Sequence, residues 1–177
     1  MTLLVTALSL LVAASCFAVA GEVLAGAMCA TRFSARFSAL VFALALAARA
    51  GRPRFLAARR LEWTLAFTIA HAVHYTTVLV RALVEPDNDL RHPSLDAVLI
   101  VTGGFGLIAT LAWTVLTDRR RLQAALFYAI GAGLGLVLSP RAADPAAHPA
   151  SAAAMAVLIA AAFWRIGWGV ASRVSPP

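Results

Sequence analysis

The chain alternates between long apolar runs and short polar connections that are rich in Arg, Asp and Pro. Six apolar runs predict helices, over residues 3–28, 34–49, 61–83, 95–116, 122–138 and 152–170. A helix that crosses the hydrocarbon core of a bilayer needs about 20 apolar residues, and about 17 at the short end of the range. The second run approaches this lower limit. The pattern therefore predicts an all-α integral membrane bundle of about six transmembrane helices, in a single domain over residues 1–177.

The first run contains two short sequences that are similar to signal-peptide cleavage sites. Small residues precede Gly21, and residues 11–16 loosely resemble a lipoprotein box that ends at Cys16. The run lacks a basic N-terminal segment and continues past both sites, so we expect a retained helix. The spacing of Cys16 and Cys29 fits neither a CxxC redox pair nor a zinc knuckle. We interpret Cys16 as a small buried hydrophobe.

Composition and charge support the membrane interpretation. The chain is 62% hydrophobic and 13% charged, whereas soluble domains are nearer half apolar and a quarter charged. Its net charge is +7, but all 15 basic residues are Arg and cluster at the ends of apolar runs, which argues against nucleic-acid binding. Two Arg-rich connections, residues 49–60 and 119–121, lie on one side of the predicted membrane. The positive-inside rule places them and both termini in the cytoplasm of a bacterial inner membrane, although Arg32 and Arg36 weaken the bias.

Small residues predict where the helices approach each other in lipid, because close contact there depends on packing. The candidate contacts are Gly21 with Ala25, the group Gly103, Gly104 and Gly106, and the pair Gly131 and Gly135. Residues 103–106 do not resemble a phosphate loop, since no strand precedes them and no Lys-Ser/Thr follows.

The third run carries His71 and His74 near its middle, and no other run contains His. At about 100° per residue, one polar stripe forms along this helix, and Thr76 and Thr77 point elsewhere. Polar groups at this depth are costly, so we expect the stripe to face the bundle interior or a cofactor. The stripe consists of Thr64, Thr68, His71 and Tyr75, with His74 at its edge.

His71 is the better candidate for a cofactor or metal ligand because it lies at the centre of the stripe, and His74 is the alternative or helper. Histidines three residues apart can share one metal ion. They cannot be opposite axial ligands of one haem, because both approach from the same side. A competing interpretation is a pair of buried histidines bonded to neighbouring Ser, Thr or carbonyl groups. Metal, quinone or proton chemistry is a third alternative, and no catalytic residues are predicted.

Residues around this helix resemble a known family. Arg59-Arg60-Leu61 precedes the run, and His71 and Tyr75 keep a His-x-x-x-Tyr spacing. This pattern is similar to the ferric reductase-like transmembrane family, which includes the haem-binding membrane subunit of the periplasmic methionine sulfoxide reductase system. By layout the resemblance covers roughly residues 31–170. It implies a six-helix bundle that binds haem b with His71 as one axial ligand. It also implies electrons from a separate donor protein or quinol, since the chain has no nucleotide fingerprint.

The chain departs from this family in one important respect. The family's partner histidines lie on the fifth span, and residues 122–140 contain no His here. His92 and His148 fall in predicted connections. Also, Glu62-Trp63 stands where Leu-Gly is common. Three functions therefore remain open: haem-linked electron transfer, a non-enzymatic structural or accessory membrane protein that has lost haem, and a small proton or metal transporter. Whether the chain is an enzyme stays open.

Overall fold

The computed structural model describes residues 1–49, 54–85, 95–117 and 119–174. Within these ranges it describes all side chains except those of residues 95–101, 136–138, 140–141 and 164–174. Every regular element in the described ranges is a helix, which confirms the all-α prediction for that part of the chain. The helices are α1 (Thr2–Ala20), α2 (Val23–Ala48), α3 (Arg54–Ala57), α4 (Arg60–Val84), α5 (Leu95–Leu116), α6 (Arg120–Ala142) and α7 (Pro149–Val174).

Three helices in the described ranges, α1, α2 and α4, are long and apolar enough to cross a membrane, judged by length and composition. The described parts of α5 and α7 contain shorter apolar stretches, over residues 102–116 and 149–163. Membrane spans are therefore supported for α1, α2 and α4. That α5, α6 and α7 also span the membrane remains a prediction.

The first predicted span does not run unbroken from residue 3 to residue 28. It ends at Gly21, which adopts a positive φ of 70°, and Glu22 is extended. A left-handed conformation costs glycine little, so this residue ends α1 and reverses the chain into α2. The expected helix contact through Gly21 is therefore wrong. The predicted second span, residues 34–49, is only the second half of α2.

α2 lies at the centre of the bundle and packs against α1, α4 and α7. Three fully buried aromatic rings join it to two other helices. The ring of Phe42 on α2 stacks on Phe127 of α6 at 5.2 Å and meets the edge of Phe67 of α4 at 4.9 Å. Such pairs contribute about 0.5–1.5 kcal/mol beyond the burial of their area. This aromatic cluster holds α2 and α4 side by side next to the histidines.

A disulfide between Cys16 and Cys29 joins α1 to α2. Cys16 is buried as expected, with 7% exposure, but its interpretation as an unpaired apolar side chain is wrong. The turn at Gly21 explains the pairing, because it brings the last turns of α1 beside the first turns of α2. Close packing at the same level, where Gly26 meets Phe17, lets the two helices approach. The Cα atoms of the two cysteines are 5.5 Å apart, within the usual range for a disulfide.

Candidate functional site

Both histidines of α4 bond to serine hydroxyls of α2. His71 Nδ1 lies 2.7 Å from Ser38 Oγ, and His74 Nδ1 lies 3.1 Å from Ser34 Oγ. The two helices run antiparallel. Ser34 and Ser38, one turn apart on α2, therefore face His74 and His71, one turn apart on α4. The Nδ1 atom of each imidazole is thus held by the neighbouring helix.

Two threonines extend this arrangement toward the Val84 end of α4. Thr77 Oγ1 lies 3.0 Å from Ser34 Oγ, and Thr31 Oγ1 donates to the Thr77 carbonyl at 3.2 Å. Thr77 is buried, with 5% exposure, so the expectation that it points away from the site is wrong. Thr76, its neighbour, is exposed and donates to a carbonyl of its own helix. We call the interhelical set the polar seam; it consists of Thr31, Ser34, Ser38, His71, His74 and Thr77.

The hydroxyl of Ser34 has three acceptors within reach for its single proton. They are the Thr31 carbonyl at 3.3 Å, Thr77 Oγ1 at 3.0 Å and His74 Nδ1 at 3.1 Å. Thr77 donates to the His74 carbonyl at 2.7 Å. When Ser34 accepts from His74 Nδ1–H, the neutral imidazole carries its lone pair on Nε2, and when Ser34 donates, Nδ1 is the acceptor.

The predicted stripe of α4 does face the bundle. Thr64, Thr68 and His71 are buried, and Tyr75 is partly buried. The hydroxyls of Thr64 and Thr68 donate to carbonyls of their own helix, at 2.9 Å each. These two threonines are therefore satisfied within α4, and the interhelical contacts come from the histidines and Thr77.

Three aromatic side chains of the same helix lie next to His71, which is 8% exposed. The ring centroids of Phe67, Tyr75 and His74 lie 5.1, 5.0 and 5.7 Å from its own. Tyr75 reaches α5, where a Cβ added to Gly104 would collide with its phenol group. The glycine group predicted in α5 thus receives Tyr75, whose ring lies next to His71.

The serines of α2 were not predicted as site residues. Thr31, Ser34 and Ser38 recur at spacings of three and four residues within an apolar helix. This spacing places them on one helical face. A polar stripe of this kind was therefore visible in the sequence, as it was in α4. Only the packing of α2 against α4 pairs the two stripes.

The described residues do not fit a haem with two histidine ligands. The serine bond at Nδ1 leaves Nε2 of His71 as the nitrogen for a ligand, an arrangement that metal-binding histidines also use. An opposite ligand is missing from the described part of the chain. His74 lies on the same helix as His71, His148 is exposed in the connection before α7, and His92 lies outside the described residues. Haem binding through His71 stays a prediction.

A metal site also lacks a complete ligand set among the described side chains, where no group of three or more His, Cys, Asp or Glu residues comes together. A structural zinc site takes four ligands and a catalytic one takes three from the protein. His71 and His74 supply at most two. Metal binding at His71 therefore also stays a prediction.

No protein-family model, no curated protein and no solved structure matches this chain. The resemblance to the ferric reductase-like family thus stays a prediction.

Proposed function

We propose that this chain is a non-catalytic, multi-pass membrane protein with a structural or accessory role, in which the histidine pair stabilises the packing of α2 on α4. The observation that carries this proposal is the pairing of both imidazole Nδ1 atoms with hydroxyls of α2. Apolar burial does not drive helices together in lipid, because lipid tails are as apolar as the side chains. Interhelical hydrogen bonds and close packing take over that role.

The burial of His71 supports the same proposal. Its side chain is 8% exposed, and Phe67, Tyr75 and His74 of the same helix lie next to it at ring distances of 5.0–5.7 Å. Burial of this degree is typical of a packed protein interior.

A visible spectrum of the purified protein, oxidised and reduced, tests this proposal. We expect no Soret band, even after expression with supplied haem, and we expect His71→Ala to lower stability without changing colour. A Soret band with sharp reduced α and β bands that disappears in His71→Ala would overturn the accessory role.

Haem b-linked electron transfer of the ferric reductase-like type is the second candidate, and one observation favours it. His74 bonds to Ser34 through Nδ1, which leaves Nε2 as the nitrogen for a ligand, and this side chain is only partly buried. His71 or His74 would hold the iron from one side, and a bound haem would supply reversible one-electron chemistry. Its electrons would come from a separate donor protein or from quinol. Loss of a Soret band in His74→Ala, with the band kept in His71→Ala, would favour His74 as the ligand.

We further propose that the Gly21 turn faces the outside of a bacterial inner membrane. The Cys16–Cys29 disulfide lies near this turn, and disulfides persist in oxidising compartments. The opposite end of α2 leads into the connection with five Arg, which favours the cytoplasm. Alkaline phosphatase fused after Glu22 should be active, and the same enzyme fused after Arg60 should be inactive. The reverse result would overturn this orientation.

A further inference from the structure

Two arginines lie on the exposed face of α2. Arg32 and Arg36 are one turn apart, and both are exposed. Phe33 and Leu40 lie beside them, each 50% exposed, and the Arg36 guanidinium lies 5.2 Å from the centre of the Phe33 ring. Ser34 and the rest of the seam lie on the other side of the helix. We call the exposed set the arginine face; it consists of Arg32, Phe33, Arg36 and Leu40.

The disulfide shows how deep this face lies. Cys29 of α2 is level with Cys16 of α1, and the two helices run in opposite directions. Arg32 follows Cys29 by three residues and is level with about Ala13, while Arg36 is level with about Ser9, since each residue advances about 1.5 Å. Both levels fall in the middle of α1, a helix of 19 residues. That helix is about as long as the hydrocarbon core is thick.

Charges at this depth are expensive unless another group neutralises them. Arginines in the hydrocarbon core almost always face a protein interior or a polar cavity, and pair there. Arg81 pairs with Glu85 and the Met1 amine pairs with Glu62, and no ion pair joins Arg32 or Arg36 to another of the described residues. The face thus needs an anionic group from outside the part of the chain described here.

The described residues of a second copy offer no suitable carboxylate. Their acidic residues lie at helix ends or in connections, far from the middle of a neighbouring span. They are Glu22, Glu62, Glu85, Asp96 and Asp144, whereas Asp87, Asp89 and Asp118, which fall between apolar runs of the sequence, lie outside the described residues.

We propose that the arginine face binds a transmembrane helix of a partner protein that carries Asp or Glu near the middle of its span. Arg binds a carboxylate through a planar fork of donors, and this contact is stronger where water is excluded. Phe33 and Leu40 provide apolar contact on either side of the charges. This inference rests on the proposed membrane role of the chain and names the class of partner that an accessory protein would hold.

A synthetic helix tests the proposal in neutral phosphatidylcholine vesicles. The probe is a poly-Leu transmembrane peptide with one central Glu, and its controls carry Gln or Leu there. Energy transfer between labelled peptide and full-length protein measures association. We expect the Glu peptide to bind about tenfold more tightly than the Leu peptide, the effect of one strong interhelical polar contact. Equal binding of the Glu and Leu peptides would overturn the proposal.

Variants of the protein test whether its preference for the Glu peptide over the Leu peptide depends on the two arginines. The double variant Arg32→Leu with Arg36→Leu should abolish this preference. The double variant Arg32→Lys with Arg36→Lys should keep part of this preference. A matched control, Arg54→Leu with Arg59→Leu, removes the same charge from exposed residues near the start of α4 and should leave it unchanged. Retention of the preference in the double Leu variant would contradict the proposal. Circular dichroism checks that each variant keeps its helix content.

Two further outcomes would assign the face to another occupant. Loss of the Glu preference on adding phosphatidylglycerol would point to lipid phosphate and overturn the proposal. Arginine-dependent energy transfer between protein copies without peptide would point to self-association and also overturn it. These results are independent of the visible spectrum. A haem band would reject the accessory role and leave the peptide result intact, and equal peptide binding would reject only the docking face.

Discussion

His71 Nδ1 on α4 lies 2.7 Å from Ser38 Oγ on α2, and this pair is the shortest link between the two helices in the polar seam. Ser38 is 1% exposed and His71 is 8% exposed, so water cannot readily replace either partner. The two residues are 33 positions apart in the chain, and the pairing therefore depends on how α2 and α4 pack.

Ser38→Ala should destabilise the protein, because it leaves the buried His71 Nδ1 without its hydroxyl partner. Interhelical hydrogen bonds in membrane proteins are worth about 0.6 kcal/mol on average and about 1.7 kcal/mol at most. We expect a loss in that range, measured by titration with a denaturing detergent in mixed micelles. Ser9→Ala is the matched control, since Ser9 is equally buried but donates to the Val5 carbonyl of its own helix. An equal loss in both variants would contradict a special role for the His71 contact.

Thr77→Val should also lower the free energy of unfolding, by about 0.6–1.7 kcal/mol. The substitution keeps the shape of the side chain and removes the hydroxyl between Ser34 and the His74 carbonyl. Thr76→Val makes the same chemical change one residue earlier, at an exposed position, and should change stability little. The same detergent titration compares the two, and a larger effect at Thr76 would count against the seam.

Gly104→Ala should destabilise the contact between α4 and α5, because the new methyl group would collide with the Tyr75 phenol. Overpacking of this kind costs about 1–3 kcal/mol. Gly103→Ala is the control, since a Cβ there meets no atom within 4 Å. Thermal unfolding in detergent measures both variants. Adding Tyr75→Ala should reduce the cost of Gly104→Ala, and absence of this rescue would show that the two residues do not meet.

Removing the disulfide should weaken the α1–α2 hairpin. Cys16→Ser with Cys29→Ser opens a loop of 13 residues, for which the chain-entropy estimate is about 3 kcal/mol. Thiol alkylation followed by mass spectrometry should find both cysteines of the native protein protected until a reductant is added. The reductant should lower the unfolding temperature of the native protein and leave that of the double variant unchanged. Alkylation of both cysteines without reduction would contradict the pairing.

The sequence predicted the helices well where hydrophobicity changes sharply along the chain. The bounds of α5 agree with the run at residues 95–116, and α4 begins and ends within one residue of the run at 61–83. The division of the first run was missed, because the long apolar stretches on both sides outweigh the one local signal, Gly21 followed by the charged Glu22. The positive φ of this one glycine ends α1, and because α2 begins at Val23, Arg32 lies inside a helix and Arg36 lies far from its start.

By itself, the sequence determined that the chain is apolar, helical and able to cross a membrane, and that α4 carries an inward stripe around His71. These properties follow from local composition and from the fixed period of a helix. Only the tertiary structure decided that Ser34 and Ser38 bind the histidines, that Cys16 pairs with Cys29, and that two arginines are exposed near mid-span. Such pairings depend on which faces of different helices meet, and that is decided by packing between residues far apart in the chain.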